Sequence, residues 1–196
     1  MRFYKIFIPI FLVLTVFTSM IIPSLSTAED ISNKVLRLHI LADSDSSYDQ
    51  KIKLELKDYF LQNTKDIFSG ATLEENLKIA VENSERLEEI CNKFLEKYKT
   101  SASVSVIKEY FDTRVYDDFT LPAGVYNSVN IKIGQGKGHN WWCIVFPTVC
   151  ISACSESMSE YLTEEELKLV SSGYSPKFKI IEIYERIKYS NKKVSR

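Results

Sequence analysis

No surplus charge of either sign marks this sequence: 25 lysines and arginines stand against 26 aspartates and glutamates, a formal net charge of −1, and the basic residues are scattered. The long-range field that draws proteins to nucleic acid is missing, which excludes DNA and RNA as partners. Also missing are a Pro/Ser-rich linker, an internal repeat and a low-complexity tract, so nothing divides the chain beyond its first segment. What is there, 196 residues of which 45% are hydrophobic and 26% charged, suits one globular domain with an accessory segment.

Three chemical motifs begin and then lack a necessary part. Asp43, Asp45, Ser47 and Asp49 alternate as calcium ligands would, but the sixth position is Tyr48, where the sharp turn requires glycine, and the twelfth is Leu54, where a bidentate glutamate is required. Helix capping is the competing account, and no metal or cofactor is expected. Gly134-Gln135-Gly136-Lys137-Gly138 resembles a phosphate cradle, yet it opens no helix and has no Gly-Lys-Ser/Thr. It reads as a flexible hairpin loop, because His139 to Cys143 look like a strand. His139 or His39 with Cys143 would pair a base with a thiol, but Cys143 is expected between aromatic neighbours in a strand and not at a helix N-terminus that favours thiolate. An extracytoplasmic cysteine-dependent hydrolase, acting on cell wall or peptides, is the alternative class.

The chain opens with Arg2 and Lys5, an apolar run from Ile6 to Ile22, Pro23, and the small residues Ser26-Thr27-Ala28. This is the layout of an export signal, read as residues 1–28 with cleavage after Ala28, or as a retained N-terminal anchor. Either way residues 29–196 form a single extracytoplasmic domain, because the positive end stays inside. Disulfides persist in such a compartment, and four cysteines allow three complete pairings. Cys143 with Cys150 is preferred, because they flank an apolar stretch that a turn at Pro147 folds back; four buried thiols are the alternative.

Lys34 to Ala42 reads as a largely buried strand, with Arg37 and His39 alternating on one face, either towards solvent or paired to a carboxylate such as Asp45. A capping cluster at 43–47 precedes a helix from about Tyr48 to Phe68, and Thr72 with Glu75 starts a second long helix that reaches Tyr98. The period then changes to two, predicting strands near 104–110, 129–133 and 141–146 in an antiparallel meander. Trp141 and Trp142 point to opposite faces of the last strand, so at most one shares a given core. A short helix starts at Thr163, and Phe178 to Tyr189 is read as helix in preference to strand. The fold class is α+β: a mainly antiparallel sheet, one early strand and then the meander, packed by two long helices with a helical C-terminus.

Two stretches together resemble one family. They are Leu36-Arg37-Leu38-His39-Ile40-Leu41-Ala42-Asp43-Ser44-Asp45-Ser46 with Asp49-Gln50 and Lys53, and Gly134 to Cys150, above all Asn140-Trp141-Trp142-Cys143 and Phe146-Pro147, with Leu121-Pro122-Ala123-Gly124 between them. They resemble stage II sporulation protein R; the family usually has Asn at Asp43, Arg at Lys57 and Pro-Leu at Thr148-Val149. The resemblance implies a protein secreted across the forespore membrane into the intermembrane space, where it activates the membrane-bound aspartic protease that processes the sigma-E precursor. It implies no catalytic residue. The two motifs are expected to lie close in the fold and form the partner surface, with Arg37, His39, Asp43, Asp45, Asp49, Gln50, Gly136, Asn140, Trp141 and Trp142 as its candidates.

Overall fold

A computed structural model describes residues 2–116, 119–147 and 158–194. Helix α1 spans Arg2–Ser32, β1 Leu36–Leu41, α2 Ser47–Thr64, α3 Leu73–Glu82 and α4 Ser84–Leu95, followed by a 3₁₀ turn at Glu96–Tyr98. Strand β2 covers Ala102–Phe111, β3 Arg114–Val115, β4 Thr120–Leu121, β5 Gly124–Ile133 and β6 Asn140–Phe146, and helices α5, Glu164–Val170, and α6, Pro176–Val194, close the chain.

The four long strands form one mixed sheet in the order β2-β5-β1-β6. Strand β1 is parallel to β5, Leu38 opposite Val129, and antiparallel to β6, Leu38 opposite Cys143. This corrects the expected meander. Strands β5 and β6 are not neighbours, because β1 lies between them, and the glycine loop is a crossing over the end of β1 instead of a hairpin turn. The cause is legible in β1: every residue from Leu36 to Ile40 is buried, so both its faces and both its edges need cover, and a central position supplies it.

Helices cover both faces of the sheet. On the first, Ile52, Leu56 and Phe60 of α2, Ala80 of α3 and Leu87, Cys91 and Leu95 of α4 pack on Leu36, Leu38, Ile40, Val129, Ile131, Ile133, Cys143 and Val145. Burying a side chain such as Phe60 stabilises by about 1.5–3 kcal/mol. On the second face, Ala28 and Ile31 from the end of α1, Leu169 and Val170 of α5 and Phe178 and Ile181 of α6 enclose Phe111, Tyr126 and Ile144. The earlier part of α1 points its apolar side chains, Ile6 to Leu14 and Ile22, outward. Among the described residues, no helix is long and apolar enough to cross a membrane.

Local chemistry explains the helix limits. Ser46 caps α2 by accepting from the Asp49 amide at 3.1 Å. Thr72 caps α3 in the same way through Glu75, and Thr163 with Glu166 makes a reciprocal capping box at α5. The expected long helix from Thr72 is instead two. At Asn83 the side-chain amide donates to the Ile79 carbonyl at 2.9 Å, the φ/ψ pair becomes −103°/14°, and a new helix starts at Ser84. Residues 178–189 are helical, inside α6.

Candidate functional site

The loop after β1 and the loop before β6 are knitted together by their own backbones. The Lys137 amide donates to the Asp43 carbonyl at 3.1 Å and the Gly138 amide to the Ala42 carbonyl at 2.9 Å. Side chains complete the join: Asp43 Oδ1 accepts from the Gln135 amide at 2.6 Å, and Asp45 Oδ1 accepts from the His139 amide at 2.6 Å and faces His139 Nδ1 at 2.5 Å. The hydrogen bond from His139 holds the Asp45 carboxyl below its ordinary range, although desolvation opposes it. From beneath, Lys53 Nζ donates to the His139 carbonyl at 2.8 Å and to Gln50 Oε1 at 2.6 Å, while Gln50 Nε2 donates to the Ser44 carbonyl at 2.8 Å. Burial lowers the Lys53 pKa. Gly134 adopts φ +52° with the Asp43 carboxylate where a Cβ would sit, and Gly136 lies at the loop's next turn with φ +60°.

The three carboxylates therefore serve separate donors. Asp43 takes the Gln135 amide, Asp45 takes His139, and Asp49 Oδ2 takes the Ser46 hydroxyl at 2.8 Å together with the Ser44 hydroxyl. They do not converge, and among the described residues no group of three or more His, Cys, Asp or Glu side chains is placed to hold a metal ion.

Under this loop pair lies a polar floor on the second face of the sheet. His39, 5% exposed, stacks on Trp142 with ring centroids 3.7 Å apart. Its Nδ1 is 3.0 Å from Glu109 Oε2 and its Nε2 3.0 Å from Asn140 Oδ1, with Asn130 beside both His39 and Glu109. The carboxylate that pairs with His39 is thus Glu109 of β2 and not Asp45, which is taken by His139. Burial pushes the Glu109 carboxyl up, but the hydrogen bond and charge of His39 outweigh it and hold the pKa below the ordinary value. Arg37, fully buried, lies 4.2 Å over the Phe111 ring and 5.1 Å over the Tyr126 ring, and donates to the Cys143 carbonyl and the Tyr116 hydroxyl. Its Nη1 has no partner, and among the described residues no carboxylate pairs with it.

The ten sequence-predicted site residues divide by depth. Asp45 and Asn140 are exposed, and Asp43, Asp49, Gln50, Gly136, Trp141 and Trp142 are half-buried around the joined loops. Arg37 and His39 lie below them, so they support this surface without forming it. The two indoles do take opposite faces: Trp141 packs against the first core cluster, with Lys57 Nζ 5.0 Å over its ring, and Trp142 against the second. Glu109 and Asn130 were not singled out from the sequence, and Gln135 and Lys137 stood out only as members of the glycine loop. Only alternation on β2 pointed to Glu109, and nothing local assigned its partner.

Cys143 and the two imidazoles are not brought together. Cys143 is 1% exposed within the first core cluster, His39 lies on the opposite face of the sheet, and His139 is an exposed side chain engaged by Asp45. Cys91 is a buried free thiol whose pKa burial pushes up to about 12. Cys150 and Cys154 lie outside the described residues, and so does the expected partner of Cys143.

Comparison with known proteins follows the same two motifs. The sequence model of the family described as stage II sporulation protein R matches residues 32–156, a stretch that holds both. The chain is 33% identical over 153 residues to the stage II sporulation protein R of Bacillus subtilis strain 168, an alignment that covers 75% of this chain and 66% of that protein. The chain thus spans about two thirds of the length of that curated relative. No solved structure matches.

Proposed function

The chain belongs to the stage II sporulation protein R family, and from that premise we propose that it is the secreted signal of endospore formation that activates the membrane-embedded aspartic protease cleaving the sigma-E precursor. In this reading it crosses the forespore membrane and acts in the intermembrane space by contact, without catalysis of its own. The observation that carries the reading is the joining of the two family motifs into one partly exposed surface, through Asp45 with His139 and Lys53 with the His139 carbonyl. Such a surface activates a partner only if it binds the active form more tightly than the inactive one.

Export belongs to the same proposal, with residues 1–28 as the signal. Ala28 is 2% exposed and α1 continues through it to Ser32, so a cut after Ala28 has to precede folding of the body. A bridge between Cys143 and Cys150 also belongs to it, since disulfides persist in that compartment.

The test replaces Asp45 by lysine and Asn140 by alanine, both exposed, and follows precursor processing in sporulating cells beside thermal unfolding of the purified chain. Processing falls by about tenfold, the loss of one interfacial hot spot, while the melting temperature falls by only about 2–8 °C, the loss of the one or two hydrogen bonds each side chain makes to His139 or His39, so both variants stay folded. Normal processing in both variants sinks the proposed surface.

A further inference from the structure

Helix α6 is amphipathic twice over. Its inner face is built into the second core cluster through Phe178 and Ile181, and both of its acids, Glu182 and Glu185, are buried on that side. On the outer side Ile183 is 52% and Ile187 57% exposed, Tyr184 stands beside them, and Ile180 is half-buried one turn earlier. Ile180, Ile183 and Ile187 follow the i, i+3, i+7 spacing of one helical stripe. At 100° per residue, Lys179 and Arg186 border this stripe on one side and Lys177 and Lys188 on the other. Residues 176–196 hold seven basic side chains and two acidic ones in a chain whose total charge is −1.

We propose that the outward stripe of α6, Ile180, Ile183, Tyr184 and Ile187 with its lysine and arginine borders, docks on an anionic lipid surface. A second copy of the chain or a soluble protein would cover the isoleucines equally well, but neither accounts for a stripe bordered on both sides by basic residues with the helix's acids kept inside. That arrangement matches the water–lipid boundary, where aliphatic side chains enter the acyl region and long basic side chains reach back to the phosphates. Lys179 and Arg186 bridge to Glu182, Arg186 also to Asp112, and Lys188 to Glu29 and Glu185. These bridges lie at half-exposed positions on the basic side, where such pairs are weak and leave donors free to turn towards phosphate. The Lys188–Glu29 bridge, at 3.0 Å, adds a second argument. It ties α6 to α1 seven residues, about 10 Å of helix, from Ile22, where the exposed apolar run of α1 ends. While residues 1–28 remain attached, a second lipid-seeking segment therefore starts close to this stripe. The inference is independent of the protease reading and needs lipid alone for its test.

An environment-sensitive fluorescent amino acid is placed at position 187 of the full-length chain, so that the signal reports α6 whatever α1 does. On vesicles one third phosphatidylglycerol and two thirds phosphatidylcholine, the probe shifts to the blue and is quenched by doxyl-labelled lipid. Its half-saturation concentration is about tenfold lower than on pure phosphatidylcholine, the effect of one to two basic residues at an anionic surface. In an I183D variant carrying the same probe, quenching is lost while unfolding by urea is unchanged, because Ile183 is exposed. A probe that remains water-like on vesicles that have captured the chain overturns the proposal. So does equal binding to neutral vesicles, and so does a blue shift that appears with rising protein concentration and no lipid, which would assign the stripe to a second copy.

Discussion

Gly138 is the tightest point of the join between the two motifs, and Gly138→Ala measures how much that join contributes. A Cβ there would lie 2.1 Å from the Ser44 carbonyl oxygen, 2.5 Å from the Ser44 carbonyl carbon and 3.0 Å from Ala42 Cβ. Two of these atoms are backbone, so no side-chain rotation relieves the overlap, and one strand end has to retreat from the other. The bonds at risk are those from the amides of Lys137 to Asp43, Gly138 to Ala42 and His139 to Asp45. With about 1 kcal/mol net for each hydrogen bond and about 1–3 kcal/mol for overpacking, partly overlapping, the expected cost is about 3 kcal/mol. For a chain of this size that corresponds to a melting temperature lower by about 6–12 °C. Gly173→Ala is the internal control: Gly173 has φ +67° with no atom within 4 Å of the added carbon, so only the left-handed backbone is penalised, by about 1 kcal/mol. Urea unfolding of both variants gives the comparison. If Gly138→Ala costs no more than Gly173→Ala, the two loops are not held as described.

One further substitution and one labelling experiment probe the layers below. Glu109 is depressed below its ordinary pKa of 4.5 in the folded chain, so its contribution is present above that pH and is lost as pH falls through the folded value. Glu109→Gln should cost about 1–3 kcal/mol at pH 7 and flatten the acid limb of the stability–pH curve; an acid limb unchanged in steepness would place the pH dependence elsewhere. Cys91, buried and with its pKa pushed to about 12, should resist iodoacetamide at pH 8 until urea unfolds the chain, and mass spectrometry that finds Cys91 fully alkylated in native protein contradicts its place on the buried face of α4.

Features that depend on near neighbours were legible in the sequence. The caps at Ser46, Thr72 and Thr163 follow from three-residue spacings, and the opposed indoles follow from strand alternation alone. Strand order was not legible, since consecutive alternating segments look alike whether they pair with one another or with a strand 90 residues earlier. The buried run of β1 held the needed signal: a strand covered on both faces belongs in the middle of a sheet, not beside a separate meander. The break at Asn83 was missed because the apolar stripe continues through it, while a single side-chain amide ends the hydrogen-bond ladder. Which carboxylate pairs with His39, for which Asp45 was the example offered, was not legible for the same reason as the strand order. Glu109 reaches it only because β5 lies between β1 and β2, an adjacency that no local pattern encodes.

The buried polar residues of β1 also fix how the motif loops meet. Arg37 and His39 face Phe111, Tyr126, Glu109 and Trp142, while Leu36, Leu38 and Ile40 face the α2 and α4 side chains. Slipping β1 by one residue against β5 and β6 would exchange the two sets. A guanidinium would then enter an aliphatic core without its two hydrogen bonds or its aromatic rings, at a cost of several kcal/mol for the unpaired charge, and leucines would cover Glu109 and Asn130. Even in the native register Nη1 of Arg37 is unpartnered, so Arg37 adds more to the penalty for a wrong register than to the stability of the right one. The end of β1 is what register controls, for it carries Ala42, Asp43 and Asp45 to the amides of Gly138, Lys137 and His139. A displacement of one residue, about 3.3 Å, would break all three bonds together, so the polar floor determines whether the exposed loops join at all.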